Sequence, residues 1–96
     1  MDDADMMREL VAALIDDTVQ QIGLLEVAVR GGDSKECVRL AHYSKGACAN
    51  LGAASAAALL KCIETTAMAS QFGECSASLT ALQQEVELLR VEAATL

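Results

Sequence analysis

Apolar positions recur along this chain at steps of three and four, the spacing that lines one face of an α-helix. From about Ala4 to Val29 the stripe is Met7, Val11, Leu14, Thr18, Ile22, Leu25 and Val29, with Asp2 or Asp3 as the candidate N-cap. Gly31-Gly32 stops this first helix. Asp33-Ser34-Lys35-Glu36 then reads as a capping box, an acidic cap followed three residues on by glutamate, and opens a second helix that Leu51-Gly52 closes. A third helix is predicted from about Ala54 to Gln71, carrying Ala56, Leu59, Leu60, Ile63 and Ala67, with Gly73 as its terminator. In the fourth, from about Cys75 to Ala94, Leu79, Leu82, Val86, Leu89, Ala93 and Leu96 alternate in the manner of a bundle seam. Short connections between consecutive helices predict an all-α fold, an antiparallel up-down-up-down four-helix bundle.

Composition narrows this further. At 96 residues the chain can bury one modest core, so a single domain spanning residues 1–96 is expected. The absence of proline and an aromatic content of 2% leave Leu, Val, Ile, Met and Ala to fill that core. No apolar run approaches the roughly 20 residues of a membrane helix, and Met1-Asp2-Asp3 is unlike a secretory signal, so no membrane insertion and a cytoplasmic location are expected. A net charge of −7 disfavours nucleic acid. There is no Walker-type glycine loop for ATP. The separations among Cys37, Cys48, Cys62 and Cys75 match no paired metal-ligand spacing, and reduced cysteines on an apolar face behave as small hydrophobes.

The second predicted helix carries the chemistry. At about 100° per residue, Cys37, Leu40, Ala41, Ser44, Ala47, Cys48 and Leu51 gather in one sector, and His42 falls about 160° from its centre, facing solvent. Lys35, Arg39, Lys45, Gly46 and Ala49 share the outward sector, so three of the chain's 7 Lys and Arg surround its one histidine. A solvated imidazole is mostly uncharged at neutral pH and offers a nitrogen lone pair to an electrophilic phosphorus. Lys45, one turn on, can offset phosphoryl charge. Glycine within a helix costs about 1 kcal/mol relative to alanine, and Gly46 points away from the apolar sector, so its use is room for a phosphoryl group and an approaching protein. Ala49 keeps the next turn low.

Ala41, His42, Lys45, Gly46, Ala49, Leu51 and Gly52 together resemble the phosphoacceptor helix of the histidine phosphotransfer family. The flanks are similar too: Leu14-Ile15-Asp16-Asp17 before the motif, the Gly32-Asp33 break, and a Leu-rich helix reaching Ile63-Glu64. Ser44 departs from the pattern, standing where the family usually has a buried aliphatic residue. Its hydroxyl must bond back to the Leu40 carbonyl or remain unsatisfied against the core.

The resemblance implies a phosphorelay carrier without turnover of its own. His42 accepts the phosphoryl group with Lys45 and Gly46 beside it, and the partners are response-regulator receiver domains and a sensor histidine kinase. It further implies docking across the first two long helices, through Val19, Arg39 and Ala49 alongside Lys45 and Gly46. No cofactor is expected on this chain, since Mg²⁺ belongs to the receiver's acidic pocket, whose charge complements the cationic patch. Two other readings stand beside it: a bundle that docks partners without His42 being phosphorylated, and a cysteine-based redox or metal sensor, which needs two thiols within bonding distance.

Overall fold

The computed structural model describes residues 3–95, which form α1 (Asp3–Arg30), α2 (Ser34–Asn50), α3 (Ala54–Met68) and α4 (Phe72–Ala93), with no strand among them. Each helix packs on its neighbours in a closed ring, α1 on α2, α2 on α3, α3 on α4 and α4 on α1. Connections of about three residues span at most about 10 Å, so each helix must turn back along the one before it. The result is a four-helix bundle with principal extents of 45 × 19 × 19 Å.

One seam fills the centre. Leu25, Leu40, Leu60, Ile63 and Leu82 are its largest fully buried apolar side chains, joined by Ile15, Ile22 and Val86. Small residues take up the remaining space: Ala28, Ala41, Ala56, Ala67 and the thiols of Cys37, Cys48 and Cys75 are all buried. All four cysteines are free, and Cys62 is exposed. Burial pushes the Cys37 and Cys48 thiols up, which favours their neutral, inert form.

The ends of the helices follow local chemistry. Asp33 caps α2, its Oδ1 accepting from the Glu36 backbone N–H at 3.1 Å. Only this half of the capping box forms, because the Glu36 carboxylate turns to Arg39 instead. Gly32 and Gly52, at φ 65° and 77°, provide the left-handed turns that end α1 and α2. After α3 that conformation falls on Ser70, at φ 56°, while Gln71 N–H bonds to the Thr66 carbonyl at 2.8 Å. The third helix therefore stops at Met68 rather than Gln71, and Gly73 sits in the first turn of α4 rather than ending α3. A non-glycine residue here took the turn that glycine was expected to mark.

Helix length explains the other differences. α1 has 28 residues and α2 has 17, so the start of α1 runs past the end of α2. Met7 and Leu10, on the inward-facing side, are consequently 46% and 45% exposed. The apolar stripe predicts Met7 on the core face, and the structure leaves it uncovered. Asp3 lies within the helix rather than capping it, and Asp2 and Leu96 lie outside the described residues.

Ser44 is buried at 1% exposure, and its Oγ has no hydrogen-bond partner. The back-bond to Leu40 does not form. An unsatisfied buried hydroxyl costs about 1–3 kcal/mol. Ser44→Ala removes the hydroxyl without adding volume, so it should raise stability by about 1 kcal/mol, read as a higher urea midpoint at unchanged slope. A lower midpoint would contradict the burial described here.

Candidate functional site

α2 is the element that builds the site. Its buried residues Cys37, Leu40, Ala41, Ser44 and Cys48 fix the helix's rotation, and that rotation turns His42, Gly46 and Ala49 to solvent. The His42 side chain is 71% exposed, as its position opposite the apolar sector predicts. Lys45 is rotated toward α3 and Tyr43 toward α1, so the two seams that flank α2 carry different partners.

On the α3 side, a single carboxylate oxygen organises the site. Glu64 Oε2 lies 3.3 Å from His42 Nδ1 and 3.1 Å from Lys45 Nζ. Partial burial pushes the Glu64 carboxyl up, but the hydrogen bonds and charges of Lys45 and His42 outweigh this and hold it below its ordinary value. The ionised carboxylate can only accept, so a neutral His42 ring bonded to it carries its proton on Nδ1. Nε2 is then the nitrogen with the free lone pair. Lys45 and Glu64 are 27% and 19% exposed, which makes this pair better shielded from solvent than a surface ion pair.

On the α1 side, Tyr43 donates its hydroxyl to Asp17 Oδ2 at 3.1 Å. The tyrosine remains 54% exposed beside His42. Arg39 also lies on this outer surface, but it pairs with Glu36 one turn back along the same helix.

The sequence-predicted residues are thus partly assembled. His42, Lys45, Gly46 and Ala49 come together, and no atom lies within 4 Å of a Cβ built on Gly46. Core packing does not require that glycine. Of the three cations expected around His42, Arg39 and Lys45 are each bonded to a glutamate. Val19 is not brought to this surface. It lines a groove between α1 and α4 with Gly23, Gln83 and Val86, because two residues turn it about 160° around α1 from Asp17, which faces α2.

Glu64 is the residue that motif reading missed. It lies outside the histidine motif, at the end of a Leu-rich stretch. The signal was present in the register: counting back from the facing ends at Asn50 and Ala54 sets His42 level with Cys62, within one turn of Glu64. Burial of Ile63 and Ala67 then leaves Glu64 at the flank of α3.

Two measurements check this geometry. Gly46→Ala should raise stability by about 1 kcal/mol through helix propensity alone, since its methyl meets open space; a drop in the urea midpoint would mean that the position is packed. In an NMR titration, the Glu64 carboxyl should have a midpoint below that of exposed glutamates, and Lys45→Ala should move it upward. The lowered folded value means that the stability this carboxylate contributes is fully present above its unfolded pKa and is lost as pH falls through the folded one. An ordinary midpoint unaffected by Lys45→Ala would contradict the shared contact.

Comparison with known proteins adds to this geometry. The Hpt domain family model matches residues 9–92. No curated protein sequence matches the chain. Among solved structures, the chain is similar to histidine-containing phosphotransfer protein B from Pseudomonas aeruginosa PAO1, at a TM-score of 0.86 and 23% identity over 92% of this chain and 76% of that one. That likeness extends the agreement in fold to the whole bundle, while the family match spans all four helices and the exposed histidine. The chain belongs to the Hpt domain family, the histidine-containing phosphotransfer proteins of phosphorelays.

Proposed function

We propose that His42 is the phosphoacceptor and that its Nε2 performs the attack. The observation that carries this reading is the engagement of Nδ1 by Glu64 on an otherwise exposed ring. Nε2 attacks the phosphorus of a receiver's aspartyl phosphate in line. The P–Nε2 bond forms as the P–O bond breaks, and the aspartate carboxylate leaves with the electron pair. The Nδ1 proton stays on the ring, where the Glu64 carboxylate stabilises the positive charge that develops. Reversal of these steps delivers the group to a second receiver. The ring can equally be loaded by a histidine kinase.

Lys45 has two tasks in this scheme. In the resting protein it holds Glu64 in place, and after transfer its ammonium lies within reach of the phosphoryl oxygens. Gly46 and Ala49 keep the surface low so that a receiver pocket can close over the ring. Arg39 on α2 is a docking contact on the α1 side of this surface. Tyr43, at the mouth of the α1–α2 seam, is a further docking contact, and Val19 contributes from the groove between α1 and α4.

The chain acts as a single phosphotransfer domain and a carrier without independent turnover. It has no cofactor of its own, and the Mg²⁺ of the reaction sits in the receiver. Among the described residues no helix is long and apolar enough to cross a membrane. A relay with receiver domains places the protein in the cytoplasm.

The test is phosphoryl transfer from a phosphorylated receiver in the presence of Mg²⁺. Wild type should acquire an acid-labile, alkali-stable label, and His42→Gln should acquire none. Lys45→Ala should slow transfer without unfolding the bundle, and Gly46→Gln should weaken receiver approach. Label on His42→Gln, or no label on wild type from any receiver or kinase core, would refute the assignment.

A further inference from the structure

We infer that Lys61, on α3, is a second cation for the phosphoryl group once it rests on His42; this deepens the reading of His42 as phosphoacceptor and rests on it. A phosphoryl group brings between one and two negative charges to the ring. The resting cluster can offset them only in part, because the Lys45 ammonium is also bonded to the Glu64 carboxylate. Those two charges cancel. Phosphorylation therefore leaves a net anion in a space a few ångströms across, beside a carboxylate that stays ionised.

Few cations are placed to answer it. Arg39 is bonded to Glu36 and lies toward the α1 edge of α2, away from the Glu64 edge. Lys35 is on the outward face of α2, but seven residues before His42, about 10 Å along the helix axis. Lys61 differs from both. It precedes Glu64 by one turn, so their Cβ atoms are about 5–6 Å apart on one face of α3. It is exposed and forms no ion pair among the described residues.

Its direction along the bundle also fits. α3 runs antiparallel to α2, so the step back from Glu64 to Lys61 follows the same direction as the step from His42 to Gly46. Along this stretch Ala49 and Ala57 carry only methyl groups. A flexible four-carbon stem can lay its ammonium across this gap. Lys61 thus serves the phosphorylated state, whereas Lys45 is shared with Glu64 in both states.

The test uses the full chain phosphorylated chemically with potassium phosphoramidate and followed by ³¹P NMR against pH. A neighbouring cation favours the dianionic phosphoryl group. At low salt, Lys61→Gln should therefore tighten its proton binding about three- to tenfold, an upward shift of about half a unit to one unit in its titration midpoint. Lys61→Arg should stay within about twofold of wild type, as should Lys35→Gln, and 0.5 M salt should narrow the gap. A Lys61→Gln midpoint equal to wild type, or an equal shift in Lys35→Gln, overturns the role of Lys61 and leaves His42 as acceptor. Phosphoryl signal persisting in His42→Gln, or no signal in wild type, overturns both.

Discussion

One carboxylate oxygen, Oε2 of Glu64, is shared by the imidazole of His42 and the ammonium of Lys45, and the arrangement of the site depends on that sharing. Without it, the ring of a solvent-facing histidine is free to rotate and to carry its proton on either nitrogen. With it, the ring is oriented from below and the proton is held at Nδ1. The lysine in turn keeps the carboxylate ionised, as the lowered Glu64 pKa records. Each member of the triad fixes a property of another.

The bundle's role is to hold two helices at the distance this contact requires. Ala41 on α2 and Ala56 on α3 are buried, and such small side chains let the helices lie close. A site on two packed helices is positioned more rigidly than one on loops. The surface around His42 is left bare, with no side chain at Gly46 and only a methyl at Ala49. In the function proposed above, this bareness lets His42 enter a receiver's pocket. The buried, unpartnered hydroxyl of Ser44 lies two residues from His42 on the opposite face, and nothing in the structure gives it a partner.

Much of this was legible in the sequence because bundle folding is governed by local periodicity. The four helices, the Asp33 cap and the outward placement of His42 all follow from residues within a turn or two of each other. The misreadings have equally local causes. Glycine, the usual left-handed residue, marks Gly73 as the terminator of α3, yet Ser70 adopts that conformation. Met7 fits the α1 stripe, but α2 is too short to cover it. Val19, which the family resemblance puts at a docking face across the first two helices, lines a groove between α1 and α4. Glu64 required more than periodicity: its partners are 19 and 22 residues away, and only the register of the α2–α3 hairpin brings them together.

The protonation state of the His42 ring tests the account most directly. Long-range ¹H–¹⁵N NMR at a pH where the ring is neutral should show the proton on Nδ1 in wild type and a mixture of both tautomers in Glu64→Ala. A wild-type ring with its proton on Nε2, or a tautomer ratio that Glu64→Ala leaves unchanged, would contradict it.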